Sequence, residues 1–325
     1  MHWHSLVLNM MNKKLYFLFG FIALLIAVFI SLQFGGSSIN LFALSETGKN
    51  ILFNIRIPRI LLGIAAGLVL ASSGGVLQGM LHNPLAEPYL LGISSGAALG
   101  SIIGLLLKKI YLMPVLGFLG ALLTMILVWK IAQKQRHIDK IRLILAGVVV
   151  NMFFSAIIAF LMSVFHQDLA QIFSILMGNL GFIFSQSTSF LLWMITGFSV
   201  AGVVILCFFS AKLNILSTGE YSAETLGVNV YKTRKFLFIL TSFLVGIIVS
   251  FVGIIGFVGL IIPHIARLLI GSDNRYMLPL SALFGASFLV LCDTIARSVM
   301  VIEIPVGVVT ALFGAPFFVY LLKRK

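Results

Sequence analysis

The sequence predicts an all-α fold, a polytopic integral membrane protein of about ten transmembrane helices with an inverted pseudo-repeat, and three observations predict it. Mean hydropathy is +1.14, and 60% of the 325 residues are hydrophobic against 10% charged, a composition too apolar for a soluble domain. Apolar runs of about 20 residues, the length that crosses a hydrocarbon core of about 30 Å, recur along the whole chain. Basic residues gather in short clusters between those runs, as they do where charge fixes membrane orientation. The same distribution argues against nucleic acid as the partner of a chain with net charge +13.

Taken in order, the spans read 15–34, 60–81, 91–107, 112–131, 143–165, 189–211, 236–258, 259–270, 277–300 and 305–322. The first follows Lys13 and Lys14, is too long for a signal-peptide core and has no small-x-small cleavage site after it, so it should stay attached as a span. The apolar block 236–270 would extend about 52 Å as one helix, too long for a single upright crossing. Gly259 and Pro263-His264 mark the expected break, with 259–270 returning as a short helix. A glycine-spaced helix (Gly63, Gly67, Gly74, Gly75, Gly79) runs into His82-Asn83-Pro84, and a second series (Gly246, Gly253, Gly256, Gly259) runs into Pro263-His264. Five spans apart, the two series would have opposite orientation, the pattern of inverted-topology transporters; close helix packing is the other use of such glycines.

Charge parity supports ten spans with both termini cytoplasmic. Lys13, Lys14, Lys130, Lys134, Arg136, Lys140, Arg142, Lys212, Lys232, Arg234, Lys235, Arg275, Lys323, Arg324 and Lys325 then lie inside, and Lys49, Arg56, Arg59, Lys108, Lys109 and Arg297 outside, with Arg267 unassigned. Cys207 and Cys292 both sit in apolar runs, so neither a disulfide framework nor a metal site is expected.

The polar stretch 212–235 separates two apolar halves. Ser217-Thr218-Gly219-Glu220 resembles a helix start, and Leu226-Gly227 closes a turn before Lys232, Arg234 and Lys235. Two short helices outside the bilayer, longer than a simple connection needs, suggest either a docking surface or an ordinary basic loop that fixes topology. No GxxxxGK[ST], HExxH or GxSxG occurs, so no catalytic residue, metal ligand or cofactor is assigned to this chain, and energy for any work must come from another subunit or an ion gradient. Asp293 is the one acid deep in an apolar run, which disfavours an intramembrane proton relay.

Arg56-x-Pro58-Arg59, Gly75-x-x-x-Gly79, Asn83-Pro84-Leu85-Ala86-Glu87-Pro88, Leu91-Gly92 and Ser95-Gly96-Ala97 stand in that order in the first half. The second half adds Gly219-Glu220, Leu226-Gly227, Gly256-Phe257-Val258-Gly259-Leu260, Pro263-His264-x-x-Arg267, Asp293-x-x-Ala296-Arg297 and Glu303-x-Pro305-x-Gly307-x-x-Thr310 with Gly314-x-Pro316. Together, across residues 55–322, they resemble permease subunits of the FecCD family, type II ABC importers for iron-siderophores, haem and cobalamin. The resemblance implies one permease domain over 1–325 in the plasma membrane of a prokaryote. Its implied partners are cytoplasmic ATP-binding subunits, an extracytoplasmic substrate-binding protein, and a second permease as homodimer or heterodimer.

Roles follow from the resemblance residue by residue. Ser217, Gly219, Glu220, Leu226 and Gly227 would couple to the ATPase, and Arg56, Arg59 and Arg297 would receive acidic residues of the binding protein. Asn83 and Leu85, with Lys140 and Ile141 opposite, would form a cytoplasmic gate. Asn151 and Ser155 share one face of the fifth span, and Gly307, Thr310 and Gly314 form a small-residue stripe on the tenth; these would line the translocation pathway, or else serve helix packing. Headgroup contacts for Arg56 and Arg59, and an i,i+4 pair of Asp293 with Arg297, are the simpler alternatives. A secondary transporter driven by an ion gradient is the competing function, and it would have no need of the long central loop.

Overall fold

The computed structural model describes residues 2–35, 45–109, 111–134, 137–184, 188–300 and 302–323; Arg136, Arg324 and Lys325 of the charge count lie outside them. The architecture is helical throughout apart from a two-residue antiparallel pair, β1 (Gln133–Lys134) with β2 (His137–Ile138). Seven helices are long and apolar enough to cross a membrane, and three shorter apolar ones, Ile93–Leu106, Val258–Ile270 and Val306–Tyr320, bring the described candidates to the ten expected.

Helix α1 (His2–Gln33) lies on the periphery, against α13 (Asn274–Ser298), with Phe19 edge-on to Phe284 at 6.2 Å. A short α2 (Glu46–Ile51), capped by Ser45, whose hydroxyl accepts from Gly48 N–H, winds through a π turn at Leu52–Arg56 into α3 (Ile57–Leu81). This third helix is the axis of the bundle, its apolar window 83% buried against 17% for α1. Its small residues set how closely neighbours approach. A Cβ at Gly67 would fall 2.3 Å from the carbonyl oxygen of Gly285 in α13, and one at Gly74 would fall 2.0 Å from that of Gly259 in α12 (Val258–Ile270). Side chains are thus excluded at both crossings, and backbone meets backbone.

After α3 the chain turns at His82 (φ 53°), and Pro84 and Pro88 prevent the helix from continuing. A 3-10 turn (Pro88–Leu91) and Gly92 lead to α4 (Ile93–Leu106), which packs on α5 (Leu112–Ala132) along Gly96, Gly100 and Gly104, one per turn. Asp139 caps α6 (Lys140–Val164), accepting from the N–H groups of Ile141 and Arg142. Next comes α7 (Leu169–Met177), a half-length helix that the span reading does not contain. It is followed by α8 (Ser189–Phe208), by α9 (Ser210–Ser217) and α10 (Glu220–Thr225), and then by α11 (Val230–Val252), capped by Asn229. Two short helices appear in this stretch, with Ser217 ending the first and Glu220 starting the second, but α11 begins at Val230, ahead of the basic run, so Lys232, Arg234 and Lys235 belong to a helix and not to the connecting loop.

The short returning helix expected over 259–270 is α12, but the break marked by Gly259 and Pro263-His264 is shifted toward the N-terminus. Pro263 lies inside α12, and the interruption falls at 253–257, between Gly253 (φ 71°) and Phe257 (φ 69°). Tertiary hydrogen bonds hold it there. Ile254 N–H donates to Ile175 O at 3.0 Å, Asn179 N–H to Val252 O at 2.7 Å, and Val306 N–H at the start of α14 (Val306–Lys323) to Gly178 O at 3.0 Å. Backbone groups freed from helix in an apolar surrounding must find such partners. The second glycine series is accordingly split among α11, the break and α12. Several buried hydroxyls are satisfied within their own helices: Ser72, Thr241, Ser281 and Thr294 each donate to the carbonyl four residues back.

A candidate translocation pathway and its two ends

One end of the bundle collects the α3–α4 link, the start of α6, helices α9 and α10, and the α12–α13 turn. Glu220, first residue of α10, turns inward: its Oε1 is 2.7 Å from Arg234 Nη1 in α11 and 3.8 Å from Lys140 Nζ in α6. Lys140 in turn stands 3.0 Å from His82 Nδ1. Four elements, α10, α11, α6 and the α3–α4 link, are therefore joined through two cations. Asn83 Oδ1 accepts from Leu85 N–H at 2.9 Å, shaping the turn between the prolines, while Leu85 and Ile141 are exposed. Gly219 (φ 118°) and Gly227 (φ 79°) bound α10 in conformations that favour glycine. Ser217 donates to Asn214 O at 2.6 Å, and Asn214 itself holds Asp273 and Asn274 across the α12–α13 turn. Among the coupling candidates Leu226 is open to solvent, as is Tyr221, which the sequence reading did not single out. Arg267, unassigned by the sequence, faces this end: its Nη1 donates to Gln78 Oε1 at 2.7 Å beside a pocket of about 220 Å³ lined by His82, Asn83 and Ser217.

In the middle lies a cavity of about 460 Å³ among α4, α6, α7, the 253–257 break and α14. Asn151, Ser155 and Gly307 line it, as the sequence reading places them. Thr310 and Gly314 do not: Thr310 is fully buried and donates to Gly307 O, and Gly314 leaves room for the Phe257 ring, whose Cγ would be 2.5 Å from any Cβ there. Gly314 thus makes room for the break, while Thr310 bonds only within its own helix. Glu87 and Ser95 also line the cavity. Glu87 was visible only as part of the proline turn; its Oε2 accepts from Phe257 N–H at 3.3 Å, 170 residues away, a contact that no local pattern announces.

At the opposite end the three arginines assigned to docking are buried, with residue exposures of 2% for Arg56, 7% for Arg59 and 4% for Arg297. The expected exposed cluster is thereby corrected to an internal network. Arg59 makes a fork to Asp293, with Nη2 at 2.9 Å and Nε at 3.0 Å, and its Nη1 meets Glu303 at 2.9 Å. Arg297 forms the i,i+4 pair with Asp293 at 3.5 Å and donates to Ser31 O, and Arg56 donates to Leu32 O, tying α1 to the cluster. Planar guanidinium forks suit this bridging, and removal of the buried Asp293 carboxylate would leave buried charge uncompensated.

The chain is similar to known proteins along nearly its whole length. The FecCD transport family profile matches residues 18–324. The cobalamin import system permease protein of Halobacterium salinarum is 41% identical over 305 residues, covering 93% of this chain and 79% of that one. The hemin transport system permease protein of Yersinia pestis is 35% identical over 324 residues, 94% and 95% of the two chains. The Fe(3+)-citrate import system permease protein of Bacillus subtilis is 37% identical over 289 residues, 87% and 85% of the two. Among solved structures, a chain described as an inward-facing metal-chelate type ABC transporter superposes with a TM-score of 0.87 at 33% identity, covering 96% of this chain and 99% of its own.

Proposed function

Because the chain belongs to the FecCD transport family, we propose that it is the permease subunit of a binding-protein-dependent ABC importer that carries a metal chelate into the cytoplasm by ATP-driven alternating access. The relatives named for cobalamin, hemin and Fe(3+)-citrate support a chelate as cargo. The observation that carries the mechanism is the joint at the α9–α10 end, where Glu220 reaches Arg234 and Lys140, and Lys140 reaches His82 beside Asn83. Displacing α10 acts on Lys140 at the start of α6 and, through it, on the contact that Lys140 makes with the proline turn. In this reading that end faces the cytoplasm, where most of the basic residues and Arg267 would also lie, and the cell is a prokaryote's, with both chain termini inside.

The partner subunits hydrolyse ATP, since no phosphate-binding loop occurs in the sequence. They receive α10 on its exposed Tyr221 and Leu226. A binding protein delivers cargo to the opposite end. A second permease, identical or paralogous, covers the apolar face of α6, where Ile141, Leu145, Val149 and Met152 recur at helical spacing and stay exposed.

The test is purification of the tagged chain from its native membrane with identification of the co-purifying proteins. An ATP-hydrolysing subunit is expected, and Glu220→Ala should either release it or leave hydrolysis running without transport. Purification of the chain alone, with ion-driven uptake in liposomes, would replace this reading with the secondary carrier.

A further inference from the structure

At the end of the bundle that carries α10, the pocket of about 220 Å³ is lined by an arginine and by no carboxylate among the described residues. Arg267 enters it from α12. Its Nη1 donates to Gln78 Oε1 at 2.7 Å, and it forms no ion pair among the described residues. Gln78 is 3% exposed, and its amide already donates to Gly259 O and Leu260 O, both at 3.2 Å, so it serves to hold the guanidinium in place. One turn further along α3 stands His82, with its Nδ1 3.0 Å from Lys140 Nζ. An ammonium group can only donate, so Nδ1 accepts and the proton of the neutral ring sits on Nε2. Asn83 Oδ1 is taken by Leu85 N–H, which leaves the amide hydrogens of Asn83 to give. Ser217 and Asn274 each give one hydrogen to Asn214, and Asp273, the acid between Ser272 and Asn274, accepts from Asn214 Nδ2 at 2.6 Å and from Arg275 N–H at 3.0 Å. An unpaired cation and two further donors therefore border one open space.

We propose that this pocket is a binding site for a phosphate group, with Arg267 as its principal ligand and His82 and Asn83 as further donors. The planar fork of an arginine suits two oxygens of such an anion. A phosphate group brings about 1.5 to 2 negative charges at neutral pH and three acceptor oxygens, which matches a donor-lined site of positive charge. Free phosphate and the headgroup of an anionic lipid offer the same chemistry. The walls of the pocket come from α3, the proline turn, α9, α12 and the α12–α13 turn. An occupant bound to them together favours the arrangement in which they face one another, so the site is also a point of control over the end of the bundle that carries α10. The inference concerns this chain's own residues and does not depend on which cargo the importer carries.

A cysteine-protection assay tests this on the full chain, with whatever subunits accompany it, in lipid nanodiscs. Ser272 lines the pocket and is exposed, so Ser272→Cys places an accessible thiol there. Labelling by a small maleimide is followed against a control without the added cysteine, which accounts for Cys207 and Cys292. In phosphatidylcholine discs, saturating inorganic phosphate should slow labelling about tenfold relative to chloride at matched ionic strength; that result assigns the site to free phosphate. Slow labelling in phosphatidylglycerol discs without added phosphate, against fast labelling in phosphatidylcholine, assigns it to a lipid headgroup. In either case Arg267→Gln should abolish the protection, and Arg267→Lys, which keeps the charge but loses the fork, should weaken phosphate affinity about tenfold. Protection by neither source, or protection unaltered in Arg267→Gln, overturns the inference. If Arg267→Gln fails to insert, undiminished protection in Arg267→Lys overturns it instead. Co-purification of an ATP-hydrolysing subunit reports the importer reading separately, so either can fail while the other stands.

Discussion

Asp293 is the residue on which the buried ion network depends. It is 2% exposed and faces Arg59 at 2.9 Å and Arg297 at 3.5 Å. Replacing one member of a buried, hydrogen-bonded pair leaves a desolvated charge, at a cost of about 3–5 kcal/mol, whereas exposed pairs contribute about 0–1 kcal/mol. Asp293→Asn should therefore lower the unfolding midpoint in detergent far more than Glu303→Gln, whose side chain is half exposed. Equal losses would mean that solvent reaches Arg59 as readily from either side. The i,i+4 pairing of Asp293 with Arg297 was legible in the sequence, but the burial of the arginines was not. Arg59 meets Glu303 across 244 residues and Arg297 meets Ser31 across 266, so the groups that remove them from the surface are invisible to local pattern.

At the scale of elements, the length of the apolar runs located most membrane-length helices to within a few residues, because each long span carries its own apolar length. What the pattern could not give is irregular backbone fixed by distant partners. Helix α7 is too short to read as a span, and the break at 253–257 is chosen by bonds to Ile175 and Glu87 rather than by the nearby proline. The glycine series was visible, and its physical use is close approach at particular crossings. Gly74→Leu would drive a side chain into the Gly259 backbone, and overpacking of this kind costs about 1–3 kcal/mol or more. At Gly197 in α8 a Cβ would meet nothing within 4 Å, so Gly197→Leu starts into open space. The first should lower the thermal midpoint and yield of membrane-inserted protein, and the second should leave both near wild type; similar behaviour of the two would show that α3 and α12 can separate without loss.

Across the whole molecule, the cavity sits between two differently built ends. One is a buried ion network joining α1, α3 and α13; the other joins α10, α6 and the proline turn through the partly exposed Glu220 and Lys140, and holds α11 through a buried Arg234. Partly exposed pairs exchange partners at little cost, whereas buried ones resist it, so the Lys140 contacts with Glu220 and His82 are the ones suited to change during a cycle. The motion this requires is relative displacement of the α3–α4 link and the start of α6, whose side chains His82 and Lys140 now touch at 3.0 Å. Cysteines at both positions, joined by a short cleavable thiol cross-linker in the assembled transporter, should reduce ATP-driven uptake by about tenfold or more, equivalent to ~1.4 kcal/mol or more on the limiting step. Cleaving the linker should restore it, and the same linker applied to protein without the new cysteines should do nothing, which controls for Cys207 and Cys292. Undiminished uptake with the linker in place would show that the proline turn and α6 travel as one body and that opening occurs elsewhere.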